Sequence, residues 1–419
     1  MNVLVVGGGG REHAICHTLR RSPRLGELYC APGNAGIAEI AECVELAATD
    51  IDGMVDFAKG RQIDLVVVAP DDPLALGMVD AMEAAGIRAF GPKKDAAIIE
   101  SSKAFSKNLM TKYGIPTAKY AVFTDMAKAL AYIHAHGAPI VVKADGLALG
   151  KGVVVALDED TAVNAVRDMM QNKKFGVSGD SVVIEEYMTG PEVTVLAFTD
   201  GKTVKPMPSS QDHKRAFDGD AGPNTGGMGA FSPSPNYTGE IAKICMDTIF
   251  APTVEAMNAE GRTFKGVLYF GLMLTPDGPR VVEYNARFGD PEAQAVLSLL
   301  DTDLLDIFEA IIDEKLDKLE IKWRQSAACC VVMASGGYPG HYEKGLPIYG
   351  LGTVPHDITV FHAGTARKAG EFVTNGGRVL GVTAVGASLP EAVERAYDGV
   401  KLIHFDHARY RGDIGRHAL

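Results

Sequence analysis

Four short apolar segments near the start of the sequence constrain the fold more strongly than any other feature. They read VLVV at 3–6, ELYCA at 27–31, DLVVVAP at 64–70 and RAFG at 88–91, and segments of helical character separate them. Strands that are apolar on both faces and alternate with helices are typical of a parallel sheet covered on both sides. The sequence therefore predicts an N-terminal doubly wound α/β domain over 1–101, with its ligand crevice at the carboxyl ends of the strands.

Glycine-rich segments follow these strands and raise the question of a dinucleotide site. The fingerprint G-x-G-x-x-G fails in both frames, because its last position is Glu12 counted from Gly7 and His13 counted from Gly8. Asn34 also stands in the segment after the second strand, where a ribose-binding acid would be expected. Both observations disfavour a nicotinamide cofactor.

The segment GGGGREH after the first strand favours a different ligand. Its glycines open a predicted helix beside Arg11. The free main-chain N–H groups of a helix N-terminus attract anions, and so does a guanidinium group. We therefore expect a phosphate monoester to bind at Gly8, Gly9, Gly10 and Arg11. The alternative interpretation is a tight turn whose arginine is merely solvated.

Composition and charge exclude several classes of function. The formal net charge is −12 and the basic residues are scattered, so the sequence predicts no nucleic-acid surface. The N-terminus has no cationic leader and no long apolar run follows, so we expect a cytoplasmic protein without a membrane partner. Neither a C-x-x-C pair nor zinc spacing occurs, and we expect reduced core thiols at Cys16, Cys30, Cys43, Cys245, Cys329 and Cys330.

The pattern of elements changes after the first domain. Two strand–helix–strand passes between about 120 and 190 enclose the segment KADGLALGKG, which predicts a small α+β lid subdomain within a catalytic domain over 102–315. Beyond it, 326–419 carries short strands, Gly/Pro turns and one closing helix. This predicts a C-terminal mixed-sheet domain packed on the catalytic domain, in a chain that is α/β and α+β overall.

KADGLALGKG lies between two apolar strands, so its glycines form a strand-to-strand turn. It is not a Walker loop, because three residues separate Gly146 from Gly150 and Lys151 is followed by glycine rather than Ser or Thr. Such a hairpin can close its main-chain N–H groups over a phosphate, with Lys143 and Lys151 adding charge. An ordinary hairpin with surface lysines is equally compatible with these residues alone.

Two further segments carry polar side chains in suggestive patterns. In the strand VVEYN, Glu283 and Asn285 project from one face, and Arg287 continues that row if the strand extends. A carboxylate beside an amide oxygen suits Mg²⁺, although a solvent-facing edge strand gives the same pattern. The segment at 209–233 contains SQDHKR and NTGGMG; its length indicates a functional loop, and the alternative is a disordered one.

The strand SVVIEEYM at 181–188 leads towards Glu192. Main-chain groups from Glu185 to Met188 could pair with the edge of an adenine, and Glu192 could bind ribose hydroxyls. Acids near strand ends are also commonly just solvated.

These motifs together resemble the ATP-grasp superfamily and, within it, the phosphoribosylamine–glycine ligase family. The resemblance spans nearly the whole chain, in the family's order: GGGGREHA, APGNAG, SSKAFSK, VVKADGLALGKGV, VIEEYM, SQDHKR, GPNTGGMGA, EYNARFGDPE, HAGT, TNGGRVLGVTA and YRGDIG. It implies a pre-ATP-grasp N-terminal domain, an ATP-grasp fold with its lid, and a C-terminal domain. It also implies that ATP, glycine and 5-phosphoribosylamine give ADP, phosphate and glycinamide ribonucleotide through glycyl phosphate, with Mg²⁺ or Mn²⁺, in a monomer.

The resemblance implies roles for individual residues. ATP would be bound by Lys103, Lys143, Gly146, Gly150, Lys151, Gly152, Glu185, Glu186, Tyr187, Met188 and Glu192. The metal would be held by Glu283 and Asn285. Asp212 and Asp290 would bind the glycine ammonium, and Arg287 a carboxylate or phosphate oxygen. The remaining substrate contacts would come from Gly8, Gly9, Gly10, Arg11, Asn34, Lys214, Arg215, Asn224 and Gly226.

The sequence departs from the family pattern in three places. Asp71 stands where a glutamate is common, which shortens its reach towards the ribosyl substrate. Ala286 stands where a cysteine is frequent, and we expect no consequence. The strand LYFGLML carries no second metal-binding acid. The alternatives are another ATP-grasp ligase, a nucleotide-binding regulatory protein without turnover and, more distantly, a dehydrogenase.

Overall fold

The computed structural model describes residues 1–147 and 152–418. Gly150 and Lys151 of the predicted glycine hairpin lie outside the described residues. Within the described ranges, no helix has the length and apolar character needed to cross a membrane.

The N-terminal part is a parallel sheet covered by helices, which confirms the doubly wound prediction. Its elements are β1 (Val3–Gly7), α1 (Gly10–Leu19), β2 (Leu28–Pro32), β3 (Glu42–Cys43), α2 (Ile51–Gly60), β4 (Leu65–Val68), α3 (Asp71–Leu76), α4 (Met78–Ala84), β5 (Arg88–Phe90) and α5 (Lys94–Ser101). The strand order is β3-β2-β1-β4-β5, with every pair parallel. Strands β1 and β4 are buried along their length, because helices cover both faces.

A second, antiparallel sheet forms the predicted lid. Helix α6 (Lys103–Lys112) precedes the lid, whose elements are β6 (Tyr120–Phe123), α7 (Met126–His136), β7 (Ile140–Ala144), β8 (Val153–Ala156), α8 (Glu159–Val166) and β9 (Val182–Glu186). The strand order is β6-β9-β7-β8. Strands β7 and β8 pair as an antiparallel hairpin, as the apolar segments around KADGLALGKG predicted.

The catalytic part contains a four-stranded antiparallel sheet in the order β11-β10-β16-β17. The elements of this part are β10 (Glu192–Thr199), β11 (Val204–Pro206), β12 (Gln211–Asp212), β13 (Arg215–Phe217), β14 (Ala221–Asn224), β15 (Gly229–Ser232), α9 (Gly239–Cys245), α10 (Ala251–Ala259), β16 (Gly266–Thr275), β17 (Gly278–Asn285), α11 (Glu292–Leu297) and α12 (Leu304–Ile312). The segment at 209–233 is thus built of short strands rather than disordered. Strand β17 ends at Asn285, so Arg287 does not continue its row.

The C-terminal sheet is antiparallel at every pairing, so the expectation of a mixed sheet was wrong in this detail. Its elements are β18 (Ala327–Ala334), β19 (Ile358–His362), β20 (Thr365–Lys368), β21 (Glu371–Thr374), β22 (Arg378–Gly386) and α13 (Leu389–Leu402). The order β12-β15-β18-β22-β19 brings in two strands from the catalytic part. Their pairing satisfies the edge of β18 with a distant segment, which local sequence does not reveal.

Shared hydrophobic cores fix these sheets relative to one another. One core joins the N-terminal sheet to the catalytic sheet and includes Val66, Ile99, Phe270 and Tyr284. A second core joins α1, α11 and α12 to β19 and includes Ile15, Val296, Phe308 and Phe361. Asp290, after β17, contacts the Arg11 amide of α1 and Arg378 at the start of β22, so the segments that follow β1 and β17 meet the C-terminal sheet at one place.

Candidate active site

Two lysines share the buried carboxylate of Glu185 on β9. Lys143 Nζ on β7 lies 2.9 Å from Glu185 Oε2 and donates to the carbonyl oxygen of Val282 at 3.0 Å. Lys107 Nζ on α6 lies 3.2 Å from Glu185 Oε1 and donates to Thr117 Oγ1 at 2.7 Å. The Glu185 side chain is therefore engaged in ion pairs rather than directed towards a ligand.

The start of the glycine hairpin is anchored to the N-terminus of α6. Lys103 Nζ donates to the carbonyl oxygen of Gly146 at 2.7 Å, and Asp145 Oδ1 accepts from the Ala104 amide at 3.1 Å. Burial lowers the pKa of Lys103. On the other side of the hairpin, the Ala144 amide donates to the Gly152 carbonyl oxygen at 2.8 Å.

Glu283 and Asn285 stand near the end of β17. Burial alone would raise the pKa of Glu283, but the charges of Lys214, Lys143 and Lys103 outweigh it and lower that pKa. The Asn285 amide has good partners when its nitrogen donates to Glu100 Oε1 and to the Tyr284 carbonyl oxygen, each at 3.1 Å. In that orientation its oxygen faces the side occupied by donors.

This pair fits a hard cation, since it offers one ionised carboxylate and one amide oxygen. Among the described residues, no group of three or more His, Cys, Asp or Glu side chains converges as a self-sufficient metal cage. A cation held here would need phosphate or water oxygens as its other ligands.

Asp212 on β12 lies in a pocket dominated by carboxylates. Lys214 Nζ lies 3.0 Å from Glu192 Oε2 and 3.4 Å from Glu283 Oε1. Burial raises the pKa of Asp212 to about 8, and the carboxylates of Glu292, Glu192 and Glu283 act in the same direction against Lys214. With four acids around one lysine, the pocket favours an added cation.

Arg287 is flanked by two acids from the N-terminal part. Its Nη2 lies 2.9 Å from Glu100 Oε1 and 3.9 Å from Asp71 Oδ2, and its Nη1 donates to the Phe288 carbonyl oxygen at 3.2 Å. The buried Nε has no hydrogen-bond partner among the described residues. Because buried donors are normally paired, this N–H is available to a ligand.

Asp290 is held by donors from three parts of the chain. Its carboxylate accepts from the Arg11 amide at 3.3 Å and from Gln294 Nε2 at 2.9 Å. Arg378 Nη1, at the start of β22, lies 3.3 Å from Asp290 Oδ1 and donates to the Gly226 carbonyl oxygen at 2.7 Å. Asp290 therefore joins α1 to the C-terminal sheet, with its charge already compensated.

The glycine turn before α1 was expected to bind a phosphate together with the Arg11 side chain, but that side chain is bonded within the protein. The Arg11 guanidinium turns inward, where Nε contacts Glu12 Oε1 at 2.7 Å and Nη1 donates to the Phe288 carbonyl oxygen at 3.1 Å. A Cβ at Gly8 would lie 2.4 Å from the Gly33 carbonyl oxygen. Close packing of two loops thus accounts for this glycine.

Asn34 also has a structural use. Its Nδ2 donates to the carbonyl oxygens of Gly8 at 3.0 Å and His362 at 2.8 Å. Its Oδ1 accepts from the amides of Gly36 and Ile37, both at 2.9 Å. These four bonds use the full capacity of the side-chain amide, so the Asn34 side chain stabilises the two loops and offers no free donor or acceptor to a substrate.

The remaining predicted residues lie around the lid junction. Glu186 Oε1 accepts from the Lys119 amide at 2.8 Å and contacts Arg280 Nη1 at 3.2 Å. Tyr187 is 40% exposed. The amides of Tyr187 and Met188 make no main-chain hydrogen bond to described residues, so they are open to a ligand.

The loop after β12 also reaches the lid. Asn224 Nδ2 donates to the Val153 carbonyl oxygen at 3.5 Å. Arg215 Nη1 donates to the Gly222 carbonyl oxygen at 2.8 Å, which closes the β13–β14 ribbon. Arg215 therefore stabilises its own loop, whereas Asn224 bridges to the glycine hairpin strand.

Family models describe the same arrangement. Phosphoribosylglycinamide synthetase models match in order: the N domain at 1–100, the ATP-grasp (A) domain at 101–293 and the C domain at 328–417. Phosphoribosylamine–glycine ligase of Halalkalibacterium halodurans is 50% identical, and the alignment covers 100% of this chain and 97% of the relative. The chain belongs to the phosphoribosylamine–glycine ligase family.

Similarity to this ligase family extends to three-dimensional structure. The crystal structure of phosphoribosylamine–glycine ligase from Thermotoga maritima has a TM-score of 0.86 at 32% identity, covering 99% of this chain and 100% of that chain. A biotin carboxylase domain from Hydrogenobacter thermophilus has a TM-score of 0.75 at 16% identity, covering 98% and 91%. The latter shows a shared ATP-grasp fold alone. A Gallus gallus trifunctional purine biosynthetic protein is 49% identical over 100% of this chain and 42% of its own length.

The sequence motifs did not predict roles for three residues of the ligase site, Lys107, Glu100 and Glu292. Lys107 follows Lys103 by four positions in SSKAFSK, and that helical spacing could have placed both on one face. Glu292 is the last residue of the motif EYNARFGDPE, which could have drawn attention to it, whereas Glu100 follows an apolar stretch and had no comparable signal. Their importance arises from tertiary contacts.

Proposed function

We propose that this chain ligates glycine to 5-phosphoribosylamine with ATP, giving glycinamide ribonucleotide, ADP and phosphate in de novo purine synthesis. The main support for this proposal is a pair of neighbouring electrostatic environments. The charges of three lysines act on the Glu283 carboxylate, and an acid-rich pocket surrounds Asp212. The first environment suits a polyphosphate with a divalent cation, and the second suits the ammonium group of an amino acid.

Charge around the γ-phosphoryl group accounts for the first step. A glycine carboxylate oxygen bonds to the γ-phosphorus while the bond from that phosphorus to the bridging oxygen of ADP breaks. Lys103 and Lys143 place positive charge where two anions approach, and the buried site strengthens it. The product is glycyl phosphate.

In the second step the amine attacks glycyl phosphate. This step is possible because phosphate is a far better leaving group than the oxide that a free carboxylate would have to expel. The amine nitrogen of phosphoribosylamine bonds to the glycyl carbonyl carbon and loses a proton, and phosphate departs with the electrons of the carbon–oxygen bond. We assign the approach of this substrate to the main-chain N–H groups of Gly8 and Gly10, at a glycine turn whose Gly9 amide donates to Glu12 Oε2 at 2.6 Å. Arg11, Asn34 and Asp290 hold the surrounding loops.

Glu283 and Asn285 would hold Mg²⁺ or Mn²⁺. Such an ion neutralises phosphate oxygens and aligns them for transfer. The ionised state of Glu283 and the orientation of the Asn285 amide both support this assignment. Main-chain groups of Tyr187 and Met188 would receive the adenine, and Glu192 the ribose, while Gly146 and Gly152 flank the triphosphate.

We assign Asp212, with Glu292, to the glycine ammonium, and Arg287 to an anionic oxygen of substrate through its unpartnered Nε. We also propose that the protein is a monomer that acts in the cytoplasm. The domain boundaries at 1–101, 102–315 and 326–419 belong to the same proposal.

Release of ADP, measured with each substrate omitted in turn, tests this function. We expect full turnover with ATP, Mg²⁺, glycine and phosphoribosylamine together, and at least a large loss when any one is withheld. Turnover with a different acid and amine would instead favour another ATP-grasp ligase. Nucleotide binding without ADP release under every condition would favour a regulatory protein.

A further inference from the structure

A second cleft, of about 390 Å³, lies between the three parts of the chain. Its wall is formed by the carboxyl end of α1, by α11, by β19 and β22, and by α13. The basic residues that line it are His17, Arg21, Arg324, His356 and Arg395. We call this set the basic cleft.

The basic cleft is distinct from the candidate active site. None of its lining residues is among those assigned above to nucleotide, metal or substrate. Arg11 lies in the first turn of α1 and Arg21 follows its last residue, Leu19, so a helix length of about 12 Å at 1.5 Å per residue separates the two arginines. A ligand in the basic cleft could therefore bind while the active site is filled.

Positive charge in the basic cleft is only partly compensated. Arg21 Nη2 donates to the Leu300 carbonyl oxygen at 2.7 Å, which leaves its charge without an acidic partner in direct contact. Arg324 Nε lies 3.0 Å from Asp301 Oδ1, and Arg395 pairs with Asp357. Burial and the charge of Arg324 both lower the pKa of Arg21. The charges of Asp301 and Asp303 raise this pKa, but their effects are smaller.

Three arginines, Arg21, Arg324 and Arg395, thus line the cleft against one acidic lining residue, Asp357, in a chain with a net charge of −12. Bringing like charges together in a folded protein costs electrostatic free energy, and an anion that contacts both charges offsets this cost. The cleft also offers hydroxyl groups of Thr359 and Thr383. The Phe361 ring, with the His17 ring edge-on at 5.7 Å, gives it an apolar wall.

We propose that the basic cleft binds a small phosphate monoester, with the phosphate between Arg21 and Arg324 and the organic part against Phe361. The volume is within the range of small-ligand sites. Because its walls come from all three parts of the chain, the bound ligand would bridge them and stabilise their arrangement.

Calorimetric titration tests the proposal, with ribose 5-phosphate and inorganic phosphate as probes. The protein is first saturated with a nonhydrolysable ATP analogue, Mg²⁺ and glycinamide ribonucleotide, so that the active site is occupied. We expect one further ribose 5-phosphate to bind, and phosphate alone to bind more weakly. The double variant Arg21→Ala/Arg324→Ala should weaken binding at least about tenfold, because charge-assisted hydrogen bonds are lost.

The matched control is Arg61→Ala, which removes an exposed arginine paired with Glu42 on another surface. This variant should bind the probe as the wild type does. Unchanged affinity for the ATP analogue shows that the double variant remains folded. The proposal is overturned if saturated wild-type protein binds no further ribose 5-phosphate, or if the double variant binds it with unchanged affinity.

Discussion

Glu185 is a buried carboxylate shared by two lysines. Lys107 and Lys143 approach different oxygens of its carboxylate, and each of the three side chains is at most 4% exposed. Burial lowers the pKa of Lys107 to about 8. Because Lys107 compensates part of the Glu185 charge, Lys143 retains more of its own attraction for a phosphate.

Replacing Lys107 with methionine tests this division of charge. We expect Lys107→Met to destabilise the fold by about 3 kcal/mol, since it removes one partner of a buried ion-pair network. We also expect a roughly tenfold higher KM for ATP, because Lys143 is drawn more strongly to Glu185. Urea unfolding and initial rates measure the two effects.

Lys112→Met provides the control on the same helix. The Lys112 side chain is 64% exposed and pairs with Glu260, so both quantities should remain near wild type. An unchanged KM for ATP in Lys107→Met would contradict the proposed division of charge.

Arg287 supplies a donor that lysine cannot reproduce. Its Nη groups contact Glu100 and Phe288 while Nε has no partner among the described residues. Arg287→Lys keeps the charge but loses the planar fork, so kcat/KM for glycine and phosphoribosylamine should fall about 100-fold. Arg262→Lys, which alters an arginine bonded to the Asp95 carbonyl oxygen, is the control. Unchanged kcat/KM for both substrates would remove Arg287 from the site.

Sequence predicted residue types at the site better than their individual contacts. The pairing of Glu283 with Asn285 followed from the two-residue period of a strand. By contrast, the inward turn of Arg11 depends on the Phe288 carbonyl oxygen, and the four bonds of Asn34 include one to His362. Such partners are far away in sequence, so local patterns could not identify them.

At the level of elements, Arg378 connects β22 to two loops of the site. Its Nη1 donates to the carbonyl oxygens of Gly226 and Asp290, at 2.7 and 2.8 Å. In the sequence GGR at 376–378, an arginine that binds phosphate and one that closes a turn are both possible. The observed bonds favour a positioning role for the loop between β14 and β15.

Arg378→Gln should therefore impair catalysis without contact to substrate. Loss of the charged hydrogen bonds should cost about 2 kcal/mol of stability, and displacement of the loop should lower kcat about tenfold. The control is Arg367→Gln, an exposed arginine of β20 that pairs with Glu39. A wild-type kcat in Arg378→Gln would exclude the positioning role.

Hydrophobic patterning predicted the strands more reliably than their pairing. The four apolar segments became β1, β2, β4 and β5 in a parallel sheet, because burial on both faces leaves a clear signature. The pairing of β15 with β18 joins segments about a hundred residues apart. No local propensity encodes that partner, so the shared antiparallel sheet was not foreseen.

At the scale of the whole molecule, two buried histidines join the N-terminal helix to the C-terminal sheet. The His362 amide on β19 donates to His13 Nδ1 on α1 at 2.8 Å, so His13 is neutral at that nitrogen. Burial is the main cause that lowers the pKa of His13 to about 3 and that of His362 to about 4. Protonation of His13 Nδ1 would remove its ability to accept this bond.

These shifts predict loss of stability in acid. Both pKa values are lowered from an ordinary value of 6.5, so the unfolded chain binds more protons below that pH. Stability that is fully present above pH 6.5 should therefore be lost as the pH falls towards 4, by up to about 1.4 kcal/mol per pH unit for each group. Urea unfolding at several pH values between 7 and 4.5 measures this slope.

His13→Asn isolates the contribution of the interface. The amide oxygen of asparagine can accept a hydrogen bond but does not titrate in this range, so the variant should lose less stability between pH 7 and 4.5 than the wild type. His404→Asn, at a side chain 71% exposed, should keep the wild-type slope. If His13→Asn and the wild type lost stability equally, acid sensitivity would have to arise elsewhere, for example at His213, whose pKa is lowered to about 4 chiefly by burial.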